Sequence, residues 1–188
     1  MQDMKILYHE LLKEQLTEAL FADFNRYQEV KRCWRKDMGK WVLKDIAFVD
    51  NWTDEEKQFL VKCLRGTCES GGAVYGASYN GILIGFASLE SLFFGSAAQY
   101  LQLSSLHVSY PYRGKGIGRH LFDLICCRAA QMGAKKLYIS SHSAEETQAF
   151  YRKMGCVEAG EYNQKLVDKE PCDCQIEYDL NSHVLDRP

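Results

Sequence analysis

The chain has 188 residues, enough for one domain with a sizeable core, and its apolar (46%) and charged (26%) fractions are those of an ordinary globular protein. A net charge of −2 excludes a general attraction to nucleic acid or anionic lipid, although a local basic patch would still grip a small polyanion. The opening MQDMKILYHELLKEQL has an early acid and no uninterrupted apolar run, and no segment approaches the ~20 apolar residues of a bilayer span, so a cytoplasmic chain is expected.

Residues 4–22, rich in Leu, Glu and Lys, are predicted to form a helix. Val30–Lys36 and Lys40–Ile46 flank Asp37-Met38-Gly39 and read as a hairpin. Thr53 followed by three acids starts a helix that runs to about Glu69, before Gly71-Gly72. Ala73–Tyr79 and Ile82–Glu90, joined by Asn80-Gly81, form a second hairpin, because both turn positions tolerate positive φ. Tyr100–Val108 is a strand, with Leu101 and Leu103 alternating against Gln102 and Ser104. Gly118–Met132 is helical, and Lys136–Ser140 is a short strand. Ser143-Ala144-Glu145-Glu146 reads as a capping box that opens a helix with Thr147, Phe150, Tyr151 and Met154 on one face, stopped by Gly155. Val157–Tyr162 and Gln175–Leu180 complete the strands. This order predicts an α/β (α+β) fold, a mixed, mostly antiparallel sheet with helices on both faces and an N-terminal helix and hairpin extension over residues 1–52. With no linker or repeat, residues 1–188 read as a single domain. The eight cysteines include no CxxC pair, and Cys172 and Cys174 stand too close for zinc spacing, so reduced thiols and no metal are expected.

The run with most chemistry is Arg113-Gly114-Lys115-Gly116-Ile117-Gly118, between a predicted strand and a predicted helix. A helix start has unpaired N–H groups and partial positive charge, and glycines let the backbone come close to an anion. Arg113, Lys115 and Arg119 add charge beside the turn, which suits a pyrophosphate. The run is neither a Walker A loop nor GxGxxG, since Arg119 stands at the third glycine position of the latter.

Leu106-His107-Val108 followed by Tyr112-Arg113-Gly114-Lys115-Gly116-Ile117-Gly118 resembles the acetyl-CoA-binding motif of the GNAT N-acetyltransferase superfamily, R/Q-x-x-G-x-G/A, read on Arg113, Gly116 and Gly118. Phe150-Tyr151-Arg152-Lys153-Met154-Gly155-Cys156 resembles the same family's FYxKxGF segment, one helix and one strand further on. The resemblance spans residues 73–180 and implies an acetyl-CoA-binding core there and an N-acetyltransferase using acetyl-CoA as co-substrate. It implies that Leu106, His107 and Val108 pair with the pantetheine arm, that backbone N–H groups from Arg113 to Gly118 bind the pyrophosphate, and that Tyr151 protonates the leaving thiolate. An N–H near Val108 would hold the oxyanion.

Relatives place Glu or His at positions that match Gln102 and Ser104, neither of which is an ordinary base, so Glu90 is the first candidate to take the amine's proton, with water relayed by the strand as another route. His107 has a suitable ordinary pKa near ~6.5, but alternation sends it to the face opposite Leu106 and Val108. Ala144 stands where the family often has Asn, and Ser143 or His142 would substitute in the pantetheine contact. Trp34, Trp41, Phe48 and Trp52 are expected to anchor the extra hairpin or form a homodimer surface; an acceptor-site wall is the alternative. The expected acceptor is a small-molecule or peptide amine, and the sequence does not identify it. The rival readings are a catalytically silent CoA-binding sensor and a transferase for protein lysine or another acyl group.

Overall fold

In the computed structural model, which describes residues 4–181, the hairpin around Asn80-Gly81 lies near the centre of a 7-stranded sheet. Its strands, β4 (Ala73–Tyr79) and β5 (Ile82–Leu89), close through Asn80 and Gly81 at φ 51° and 80°. β6 (Tyr100–Val108) pairs antiparallel with β5, and β7 (Lys136–Ser141) pairs parallel with β6. Beyond β7 lies β9 (Cys174–Asp179) and, on its far edge, β8 (Val157–Glu158). β6–β7 is the parallel pair in an otherwise antiparallel sheet, as the mixed pattern predicts.

The predicted helix over residues 4–22 does not form. Leu7–Glu10 is an edge strand, β1, against β4, and Lys13–Gln15 and Glu18–Phe21 are single 3₁₀ turns. The apolar residues explain this: Leu11, Leu16 and Phe21 are buried, yet their spacing of five does not trace one face of an α-helix. The predicted capping box at Ser143 also fails. α3 (Glu145–Met154) starts one residue later with Ala144 at its N-cap, because the Ser143 hydroxyl is bound by Arg35 Nη1 at 2.5 Å. The strand predicted over 157–162 stops at Glu158, and a short helix, α4 (Gln164–Lys169), precedes β9.

Other elements follow the prediction closely. β2 (Gln28–Asp37) and β3 (Lys40–Asp50) form a separate hairpin. α1 (Asp54–Glu69) carries a true capping box, with Thr53 and Glu56 bonding each other's backbone N–H. α2 (Ile117–Gln131) and α3 pack on one face of the sheet, where Leu101, Leu121, Phe122, Ile125 and Tyr151 share a core. α1 and the N-terminal turns cover the other face around Phe21, Phe24, Leu64 and Phe86. Truncating the fully buried Phe86 there would cost ~3–5 kcal/mol.

Candidate active site

β6 and β7 pair only from Tyr100–Gln102 to Lys136–Tyr138. Beyond that β6 stays with β5 and β7 stays with β9, so the two strands part. The cause lies in β6. Ser88 pairs with Ser105 and Leu89 with Leu103, which leaves Ser104 as an extra residue, a bulge that bends its strand. The bulge also shifts the alternation, so Leu106 and Val108 pack on the same core as Leu101 and Leu103.

A cleft of about 610 Å³ opens where the strands part, lined by Leu103–Val108, Ile139–His142, the turn after β6, and α3. The Ser109 N–H donates to the Ile84 carbonyl at 2.8 Å, so alternation turns the N–H and carbonyl of Val108 and Leu106 toward the cleft. The Val108 carbonyl indeed accepts from Arg113 Nε, at 3.0 Å, rather than from β5.

The turn after β6 is shaped by its glycines. Gly114 and Gly116 sit at φ 75° and 80°, and a Cβ on either would meet nothing within 4 Å, so this face of the turn is open. Gly116 is the N-cap of α2 and supplies no side-chain cap. The first helical bond runs from the His120 N–H to the Gly116 carbonyl at 3.1 Å, leaving the N–H groups of Ile117, Gly118 and Arg119 without intrahelical partners. They form a positive, donor-rich rim. Gly114, Gly116, Ile117, Gly118 and Arg119 all line the cleft, whereas the Lys115 ammonium lies over the Tyr112 ring at 5.9 Å. Arg113 also lines the cleft, yet its guanidinium turns inward to the carbonyls of Val108 and Arg26 (3.0 and 3.1 Å). It clasps the turn to the end of β6.

Facing this rim, α3 contributes Thr147, Phe150, Tyr151 and Met154 to the cleft, as its helical spacing predicts. Tyr151 is 6% exposed, and burial, with smaller contributions from Cys156 and Asp173, pushes its pKa up. The phenol therefore keeps its proton. Ser143 is buried and does not line the cleft; its hydroxyl is taken by Arg35 and its carbonyl by the Trp34 N–H. His142 lines the cleft in its place. His107 packs against Trp52 and Phe86, and burial together with the charges of Arg26 and Arg113 holds its pKa well below 6.5, so the imidazole is neutral. Glu90 stands outside the cleft, behind the bulge: its Oε1 accepts from Ser104 at 2.5 Å and from Thr67 at 2.9 Å. Glu90 also lines a second cavity of about 630 Å³ with Tyr100, Gln102 and Glu161.

A family model described as Acetyltransferase (GNAT) family matches residues 14–156. The chain belongs to this family. Among solved structures, GNAT relatives share its fold over nearly the whole chain. Nourseothricin acetyltransferase superposes with a TM-score of 0.68 at 16% identity, covering 93% of this chain and 98% of its own. A protein described as a streptothricin acetyltransferase from Bacillus anthracis, solved with acetyl coenzyme A, gives 0.67 at 16% identity, covering 93% and 95%. The PaiA N-acetyltransferase from Thermoplasma acidophilum, solved with coenzyme A, gives 0.58 at 16% identity, covering 94% and 99%. No curated protein matches the chain. The chain is thus an acyl-CoA-dependent N-acetyltransferase of the GNAT family. Among the described residues no helix is long and apolar enough to cross a membrane, and no cluster of His, Cys, Asp and Glu could hold a metal.

Within this GNAT frame the extra hairpin packs against α3 and the segment before it, which line the cleft. The Trp34 N–H donates to the Ser143 carbonyl at 2.8 Å, Arg32 forks onto Glu145 at 2.7 and 2.9 Å, and the Arg152 guanidinium stacks 4.3 Å from the Trp34 ring centre. Trp34 and Trp41 anchor on the core, while Arg26 and Gln28 reach the cleft. Sequence reasoning missed Arg26, Ser105, Ser140 and Ser141 as cleft residues. The signal available was Ser140-Ser141, two hydroxyls ending the strand directly after Leu137, Tyr138 and Ile139.

Proposed function

We propose that this GNAT enzyme moves the acetyl group of acetyl-CoA directly onto a primary amine of a small molecule or peptide. The observation that carries the reading is that the unpartnered N–H rim from Ile117 to Arg119 and the protonated Tyr151 phenol line one cleft. The diphosphate of the substrate fits the rim, where no Cβ stands in the way and the helix end is positive. The backbone N–H groups of Gly114–Gly118 would hold it, the Arg113 N–H being taken by the Tyr110 carbonyl at 3.3 Å, with Lys115 and Arg119 adding charge. Its pantetheine arm would run beside Leu106, His107 and Val108, using the main-chain groups that the bulge turns away from β5.

The chemistry then divides among a few groups. The amine lone pair attacks the thioester carbonyl. The Val108 N–H, facing the cleft, stabilises the oxyanion. The C–S bond breaks, and the Tyr151 hydroxyl gives its proton to the sulfur. A nitrogen proton leaves through the Ser104 hydroxyl to Glu90, which that hydroxyl already contacts.

Native mass spectrometry of the purified protein is expected to show retained CoA, and thiol release from acetyl-CoA with a panel of amines is expected to reveal turnover. Tyr151→Phe should lower kcat by about a hundred-fold, within the range of acid–base catalysis, with acetyl-CoA affinity unchanged. Intact turnover in that variant would reduce Tyr151 to packing. Tight CoA binding with no thiol released by any amine would favour a sensor instead.

A further inference from the structure

The wall of the cleft opposite Ser104 repeats its arrangement. Ser140 lines the cleft on β7, and its Oγ lies 3.2 Å from Oδ2 of Asp173, just before β9. The hydrogen bonds of this network run in one direction. The Asn163 backbone N–H donates to the Tyr138 hydroxyl at 2.9 Å, and that hydroxyl donates to Gln175 Oε1 at 2.7 Å. The Gln175 amide is thereby oriented, and its NH₂ donates to Ser140 Oγ at 2.9 Å. Ser140 must then donate to Asp173, and one lone pair of its oxygen stays open.

Amine acetylation needs such a second outlet. An alkylamine enters as R–NH₃⁺ and ends as an amide N–H, so nitrogen loses two protons while sulfur gains one. We propose that Asp173 is a positioning residue that acts through Ser140 to take the first of these protons, leaving the second to Glu90. The inference rests on the transfer reading above. The ammonium N–H binds the open lone pair of Ser140 Oγ, the serine proton passes to Asp173 Oδ2, and the nitrogen proton replaces it on the serine. The products are a neutral R–NH₂, ready to attack, and a neutral Asp173 carboxyl that later returns its proton to water.

The surroundings suit the task. Burial and the neighbouring Glu170 raise the Asp173 pKa to about 6, against the opposing Ser140 bond and Arg35 from β2. Tyr151 on α3 and Cys174 on β9 also face this carboxylate, and both feel its charge. His142, which continues β7, faces Glu170, Asp50, Arg26 and Arg35. A carboxylate of this basicity accepts a proton near neutral pH more readily than an ordinary aspartate.

The test compares two amines with the full-length enzyme. Ethylamine is an ammonium ion near pH 7, whereas 2,2,2-trifluoroethylamine is largely neutral there. Asp173→Asn keeps an oxygen for the Ser140 bond but removes the base. It should lower kcat/KM for ethylamine by about ten-fold or more, erase the acid limb of that profile, and leave trifluoroethylamine within about two-fold of wild type. Acetyl-CoA affinity by calorimetry should not change. Ser140→Ala should copy the pattern, and Ser140→Thr should restore it. Equal losses on both amines, or no loss on either, would overturn the proposal. Should the wild-type enzyme release thiol with neither these amines nor any other, the transfer reading falls and Asp173 falls with it. A wild-type enzyme active only on other amines is tested with an alkylammonium acceptor and its fluorinated analogue, and the same two outcomes decide.

Discussion

A Cβ on Gly118 would stand 3.3 Å from Cε2 of Phe150, so the first turn of α2 lies directly on the ring that precedes Tyr151. This contact fixes the distance between the N–H rim and the phenol. Gly118→Ala should be nearly neutral for stability: the ring must give by a few tenths of an ångström, but alanine gains about 1 kcal/mol of helix propensity over glycine. Gly118→Val has no such escape and should destabilise by about 1–3 kcal/mol. It should also weaken acetyl-CoA binding by forcing the two helices apart. Thermal melts with calorimetry check both, and a valine variant with wild-type affinity would show that the contact does not set the site.

Gly116 separates conformation from binding. At φ 80° an alanine costs ~1–2 kcal/mol. The new methyl would meet no protein atom within 4 Å, but it would project where the anion must approach. Gly116→Ala is therefore expected to lower acetyl-CoA affinity by about ten-fold or more, with a melting temperature only a few degrees lower. Gly39→Ala is the control: Gly39 has φ 79° and equally open space, but lies in the β2–β3 turn. It should lower stability by a similar amount and leave affinity alone.

Features set by local chemistry were legible in the sequence. The Asn80-Gly81 and Met38-Gly39 turns, the Thr53 cap, the glycine turn at α2 and the Gly155 stop each depend on residues within one turn of themselves. What was hidden depends on distant partners. Leu7–Glu10 is a strand because β4 offers it an edge. Ser143 loses its capping role because Arg35, far away in sequence, takes its hydroxyl. The bulge at Ser104 arises from the register against β5, and simple alternation along β6 conceals it. The Tyr138–Gln175–Ser140–Asp173 chain draws on β7 and the start of β9, which no spacing rule connects.

His107 gives a pH signature in stability. Its folded pKa is held well below 6.5 by burial and by Arg26 and Arg113. The unfolded chain takes up a proton that the folded one refuses, so stability is full above 6.5 and falls as pH drops below it. His142 shifts in the same direction for the same leading reason, burial. His107→Phe, whose ring can fill the space beside Trp52 and Phe86, should flatten the fall of melting temperature below pH 6.5 without abolishing it. An unchanged slope would place the acid lability elsewhere.

Asp173 should show the opposite dependence. Its pKa rises from 3.8 to about 6 on folding, so the folded protein resists ionising this group. Stability that is full below 3.8 is lost as pH rises toward about 6, and is flat above. Asp173→Asn removes the disfavoured charge and should stabilise the protein at neutral pH by on the order of 1–2 kcal/mol, after allowing for the group's partial exposure. The gap in melting temperature from wild type should open between pH 3.8 and about 6 and stay constant beyond. A variant that is more stable yet slower on ammonium substrates is what a carboxylate kept for proton transfer predicts. One that is less stable at neutral pH would show that Asp173 instead holds the start of β9 in place.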